Sequence, residues 1–151
     1  MKSSGNIKIF TIGFTKKNAE KFFNLLTDNK VKRVIDIRLN NTSQLAGYAK
    51  AEDLKYFLKA VAGIEYTYLT ELAPTQEIMD EAKKNKGDRK VFEKSYIALI
   101  SKRKVEQMDI KELLDGSCLL CSEDRPDECH RKLASEYLKK KWGNVEIVHL
   151  F

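Results

Sequence analysis

Val34-Ile35-Asp36-Ile37 is an apolar run broken by a single carboxylate. A run this continuous suits a parallel strand covered on both faces, because a half-exposed strand would alternate. Working outward, comparable runs recur. Ile7-Lys8-Ile9-Phe10-Thr11-Ile12 lies upstream and ends at Gly13. Ile64-Glu65-Tyr66-Thr67-Tyr68-Leu69, Ser117-Cys118-Leu119-Leu120-Cys121 and Val145-Glu146-Ile147-Val148-His149-Leu150 lie downstream. Between them, apolar residues fall at helical spacing: Phe22, Phe23 and Leu26; Leu54, Phe57, Leu58 and Val61; Phe92, Tyr96, Leu99 and Ile100; Leu133, Ala134, Tyr137 and Leu138. Alternating strands and helices predict an α/β fold, a three-layer Rossmann-like domain with a five-stranded, mostly parallel sheet. The expected strand order is 3-2-1-4-5, with the first strand central. The third strand alternates more and is expected at an edge. Thr15 is expected to cap the first helix and Asn29 to stop it. Asp109 is expected to cap a short helix, with Glu112 at capping-box spacing.

At roughly 100–200 residues per domain, a chain of 151 residues predicts one domain over 1–151. Its 42% hydrophobic and 33% charged content excludes collagen-like, mucin-like and disordered classes. No apolar run approaches the ~20 residues that span a bilayer, so no membrane partner is expected. Lys8 interrupts the first apolar stretch and no small-residue cleavage site follows, which argues against a secretory leader. Three cysteines are too few, and odd in number, for a disulfide scaffold. The expected location is cytoplasmic, with reduced thiols. The net charge of +6, from 28 basic and 22 acidic residues, favours phosphate-bearing partners: a phosphorylated small molecule or nucleic acid. Basic clusters at Lys83-Lys84, Lys102-Arg103-Lys104 and Lys139-Lys140-Lys141 also suit solvated helix ends. Nothing in the sequence sets an oligomeric state.

In open parallel sheets, ligands bind beyond the carboxyl ends of the strands, where the winding reverses. That rule selects Gly13 to Thr15, Asp36 to Arg38 and Cys121 to Arg131. Asp36 is costly in a buried strand unless it is paired. Arg38 leaves the same strand face two residues on. The pair reads either as a buried ion pair that orients the next loop or as an anion grip in which Asp36 holds Arg38. In Cys121-Ser122-Glu123-Asp124-Arg125-Pro126-Asp127-Glu128-Cys129-His130-Arg131, a strand ends and a helix begins. Cys129, His130 and Arg131 fall in the first helical turn, where unpaired N–H groups attract anions and favour a thiolate. The catalytic candidates are Cys129, His130, Glu123 and Asp36. The substrate-binding candidates are Gly13, Thr15, Arg38, Cys121 and Arg131. Each also has a packing role open to it, since Cys129 and His130 sit one turn before Leu133 and Ala134.

Several chemistries are excluded. The cysteines of Cys118-Leu119-Leu120-Cys121 lie three apart on a strand and point to opposite faces, so they neither chelate one ion nor form a thioredoxin motif. A set of Cys121, Cys129, His130 and His149 is conceivable for zinc but lacks the usual paired spacing. No cysteine is followed six residues later by arginine, as a phosphatase loop requires. GxGxxG and GxxxxGK[ST] are absent. No metal or cofactor is expected.

Thr11-Ile12-Gly13-Phe14-Thr15, Asp36-Ile37-Arg38, Gly63-Ile64-Glu65-Tyr66 and Cys121-Ser122-Glu123 through Cys129-His130-Arg131 occur in an order that resembles the domain of unknown function 488 (DUF488) family of small bacterial and archaeal proteins. The resemblance spans nearly the whole chain, and the Cys-x-Glu…Cys-His-Arg element is its most specific part. It implies a three-layer α/β domain. It also implies a shared site built from Gly13, Asp36, Arg38, Cys121, Glu123, Cys129, His130 and Arg131. It supplies no reaction. Family members often carry His-Ser after the first-strand glycine, where this chain has Phe14-Thr15. Thr15 keeps a hydroxyl, but Phe14 transfers no proton, which leaves His130 as the main group titrating near pH 7.

Two functions follow. One is a small enzyme with an anion site for a phosphate or nucleotide-like group at the carboxyl edge of the sheet, with Glu123 or His130 as acid–base and Cys129 as nucleophile or neighbour. The other is a non-catalytic nucleic-acid- or protein-binding module, in which the same residues form a structural network and lysines do the binding.

Overall fold

The computed structural model describes residues 6–41, 47–84, 89–122 and 130–151. Its strands are β1 (Ile7–Gly13), β2 (Arg33–Asp36), β3 (Glu65–Tyr68), β4 (Ser117–Cys121) and β5 (Val145–Leu150). They form one five-stranded sheet in which every neighbouring pair is parallel. The helices are α1 (Ala19–Asp28), α2 (Ala51–Phe57), α3 (Gln76–Lys84), α4 (Arg89–Arg103), α5 (Lys111–Leu114) and α6 (His130–Trp142). The three-layer α/β reading therefore holds.

The strand order is β3-β2-β4-β1-β5, which corrects the expected 3-2-1-4-5. β4, not β1, occupies the centre, inserted between β2 and β1. Each of its five residues is buried. Ser117 is tolerated there because its hydroxyl donates to Leu113 O at 2.6 Å. β1 carries exposed Lys8 as its second residue and pairs on its other side with β5. Apolarity alone did not separate the two strands. The route does: the long return from β3 through α3, α4 and α5 carries the chain back past β2 before β4 forms. β3 lies at an edge, as expected.

Right-handed crossovers fix the layers. The steps from β1 to β2 to β3 run one way across the sheet. The steps from β3 to β4 to β5 run the other way. Accordingly α1 and α2 cover one face, where Phe22, Phe23, Leu26, Leu54 and Leu58 pack on Phe10, Ile12 and Val34. α4, α5 and α6 cover the opposite face, where Phe92, Tyr96, Ile100, Leu114 and Leu138 pack on Ile9, Ile35 and Leu119. β1 and β4 are neighbours whose connections leave to opposite faces. The winding reverses between their carboxyl ends.

Local signals explain most helix ends. α1 is capped by Asn18, whose side chain accepts from Lys21 N at 2.8 Å, so the cap expected at Thr15 lies three residues downstream. Asn29 ends that helix as expected. α2 continues into a π-turn over Leu58–Ala62 and stops at Gly63, whose left-handed φ of 67° needs no side chain. α5 begins after Ile110, so Asp109 is not its cap. Among the described residues, no helix is long and apolar enough to cross a membrane.

Candidate functional site at the carboxyl edge

Asp36 ends β2 in register with Tyr68 of β3 and Leu120 of β4. It shares strand parity with Val34, so its side chain faces the α1–α2 layer. It is 0% exposed and accepts several hydrogen bonds. Arg38 donates through its backbone N at 3.1 Å, Nε at 2.8 Å and Nη2 at 2.8 Å. Tyr66 Oη donates at 2.5 Å and Asn41 Nδ2 at 3.3 Å. The partner that a buried carboxylate demands is therefore Arg38, gripped side-on. Burial and then the hydrogen bond to Asp36 push the Tyr66 hydroxyl well above its ordinary range, so it stays protonated as a donor.

Arg38 is 2% exposed. Its guanidinium carbon lies 5.5 Å from the centre of the Phe14 ring, at the end of β1. Asp36 takes Nε and Nη2 but not Nη1. Nη1 is buried and, among the described residues, has no hydrogen-bond acceptor. Tyr68 Oη donates to Arg38 O at 2.9 Å and Leu39 O at 3.2 Å, which holds the chain as it leaves β2.

His130 and Arg131 open α6 on the other face of the sheet. His130 Nε2 meets Ile37 O at 2.7 Å. A carbonyl only accepts, so Nε2 carries the proton. The ring packs edge-on against Tyr96, with centroids 5.3 Å apart. Burial pulls its pKa down to about 4, with Arg89 and Arg131 adding to the effect and the Ile37 bond opposing it. Near pH 7 His130 is neutral, and its Nε2 proton is committed to the backbone.

Arg131 is fully buried. Its Nε donates to Thr11 Oγ1 at 3.3 Å, and its Nη1 donates to Cys121 Sγ at 3.6 Å. Thr11 Oγ1 lies 2.6 Å from His149 Nδ1. Burial, then Arg131, lower the His149 pKa. Cys121 is disulfide-bonded, against the expectation of reduced thiols throughout.

Gly13 ends β1 in register with Cys121. Just beyond, Thr15 donates to Ser122 O through both Oγ1 at 2.7 Å and N at 3.1 Å, which ties the loops after β1 and β4 together. The structure thus gathers the described candidates in two groups. Asp36 and Arg38 sit on the α1–α2 face. His130, Arg131 and Cys121 sit on the α4–α6 face. The two meet through the backbone of Ile37, between Asp36 and Arg38. Glu123 and Cys129 lie outside the described residues. Tyr66, Tyr68, Asn41 and Thr11 join the site, none of them among the catalytic or substrate-binding candidates above. Thr11 carried the same signal as Asp36, a polar residue inside an apolar strand.

Among the described residues, no group of three His, Cys, Asp or Glu side chains could hold a metal ion. A groove of about 340 Å³ lies between α1 and α2, lined by Phe23, Tyr48, Phe57 and Val61 among others, and holds none of the charged groups above. Cys118 points into the α1–α2 core, is free, and has its thiol pushed far up by burial. Native protein treated with iodoacetamide should carry no label on the Cys118 peptide, and urea-unfolded protein should carry it fully. Native labelling of Cys118 would show a core looser than described.

No curated protein and no solved structure matches the chain. The model of the family described as domain of unknown function DUF488 matches residues 18–138, a stretch that holds Asp36, Arg38, Cys121, Glu123, Cys129, His130 and Arg131 but not Gly13 or Thr15. With β2, β3 and β4 and the residues of both groups inside that match, the chain belongs to the DUF488 family.

Proposed function

We propose that the carboxyl edge of the sheet is an oxyanion site, centred on Arg38, that takes the phosphate of a small phosphorylated or nucleotide-like molecule. One observation carries the reading: a buried guanidinium, fixed side-on by Asp36, keeps Nη1 without an acceptor. A buried unpaired donor costs about 1–3 kcal/mol, and such groups are rare in folded proteins. A ligand oxygen delivered there recovers that cost, and a charged acceptor adds to it. The position is where the fold rule places ligands, at the strand ends beside the reversal of winding.

In this reading His130 is a positioning residue. It fastens Ile37 to α6 and so sets the direction in which Arg38 leaves the strand. A chemical step at the site then falls to Glu123 as acid–base group, with Cys129 as nucleophile only in its reduced, thiolate form. A second reading, a non-catalytic module, draws on the burial of Asp36, Arg38, His130 and Arg131. There the same groups are a structural network and surface lysines bind nucleic acid. Arg103 leaves that lysine set, because its Nη1 donates to Thr70 O, Glu71 O and Ala73 O and closes the turn after β3.

The test compares Arg38→Lys with the unaltered chain. Lysine keeps a cation beside Asp36 but has no Nη1. Millimolar inorganic phosphate should raise the melting temperature of the unaltered protein by several degrees and leave Arg38→Lys unmoved. An equal rise in both overturns the oxyanion site. Loss of oligonucleotide binding on charge reversal at Lys83, Lys84 and Lys102, with no phosphate response, would support the second reading.

A further inference from the structure

We propose that the anion held at Arg38 is carried on a planar aromatic ring, as in a nucleoside monophosphate, and that the ring stacks on Tyr68. This rests on the oxyanion reading above and goes beyond it by naming the chemistry attached to the phosphate.

Tyr68 is 40% exposed at the end of the edge strand β3. It pairs in register with Asp36, and side chains opposite one another in a parallel pair share a face. The guanidinium of Arg38 folds back onto Asp36, so ring and cation flank the same carboxylate. The Tyr68 hydroxyl is bonded to Arg38 O and Leu39 O, which anchors the far end of the ring. Burial, then Asp36, push that hydroxyl upward while Arg38 opposes, so both charges act on it.

Three other large hydrophobics are also conspicuously exposed: Tyr56, Val61 and Phe151. Tyr56 and Val61 belong to α2 and the π-turn after it, not to the strand end beside Asp36. Tyr68 combines an open aromatic surface with a conformation already fixed. Immobilising a loose side chain reduces affinity; a ring held at both ends avoids most of that cost. Base–aromatic stacking is tolerant of sequence and strong enough to dominate the binding of a small nucleotide. The same base–phosphate unit occurs in a free mononucleotide and in a single strand, and the two are separated by the ligands used.

The experiment titrates the full chain by calorimetry with inorganic phosphate, ribose 5-phosphate, adenosine monophosphate and a single-stranded dinucleotide. The mononucleotide should bind at least about tenfold more tightly than ribose 5-phosphate. Tyr68→Leu should bring that ratio close to one; it also removes the hydroxyl that holds Arg38 O and Leu39 O, so it is read against Tyr68→Phe, which loses the same bonds. Tyr68→Phe keeps the ring and should keep most of the ratio. A dinucleotide that binds more tightly than the mononucleotide assigns the site to nucleic acid; weaker binding assigns it to free nucleotide, and either supports the stacking. A ratio near one in the unaltered protein, or one unchanged by Tyr68→Leu, overturns the stacking while the anion site stands. Failure of phosphate and of every phosphorylated ligand to bind overturns both.

Discussion

Replacing Asp36 with alanine is expected to lower the free energy of unfolding by about 3–5 kcal/mol, the scale seen when a buried ion pair loses one member. The size follows from what is stranded. Arg38 is 2% exposed, and its Nε, Nη2 and backbone N–H all end on this carboxylate. Tyr66 Oη and Asn41 Nδ2 lose an acceptor as well. The reverse substitution is milder. Arg38→Met leaves Asp36 three donors, Tyr66 Oη, Asn41 Nδ2 and the backbone N of residue 38, so it should cost less than Asp36→Ala. The double change Asp36→Leu with Arg38→Met should also cost less than Asp36→Ala alone, because no unpaired charge remains. Urea unfolding monitored by circular dichroism checks all three. An Asp36→Ala midpoint within experimental scatter of the unaltered protein would mean that the ion pair is solvated.

Stability should also fall with pH well before the carboxylates protonate. The folded pKa of His130 is about 4, against about 6.5 in the unfolded chain. Between those values the unfolded chain binds a proton that the folded one does not. Acid therefore favours unfolding across this window. The contribution is fully present above pH 6.5, is lost as pH falls, and is gone below about pH 4. Its total is about 3 kcal/mol, of which about 2 kcal/mol is gone by pH 5. His149, also lowered, adds in the same direction. His130→Gln isolates the term: glutamine can still donate to Ile37 O but does not titrate. Urea midpoints at pH 7.5 and pH 5 should differ clearly less in His130→Gln than in the unaltered protein. Equal differences would place His130 in contact with solvent and separate it from Ile37.

These two residues also show where sequence reading succeeds. Asp36 was legible because a carboxylate inside Val34-Ile35-Asp36-Ile37 violates the pattern around it. Arg38 followed because two residues along a strand return to the same face. The strands β4 and β5 were legible to the residue, since Gly116 and Gly143 punctuate apolar runs. What escaped depends on distance along the chain. Tyr66 reaches Asp36 only because β3 pairs with β2 in one register, and no local pattern encodes that register. The insertion of β4 between β2 and β1 is decided by the path of residues 69–116 over the sheet. His130 was read as a titrating group near neutrality, and burial removes it from that role although the bond to Ile37 O opposes the shift. Thr15 was read as a helix cap. It serves the site by fastening the loops after β1 and β4, while Asn18 does the capping.

The central claim is that Arg38 Nη1 awaits a ligand oxygen. Crystals grown or soaked in tungstate, a heavy analogue of phosphate, test it directly through anomalous scattering. The account predicts a tungsten peak whose oxygens lie within hydrogen-bond reach of Arg38 Nη1, beside Phe14 and Tyr68. An ordered water alone on Nη1, with tungstate bound only among surface lysines, would contradict it.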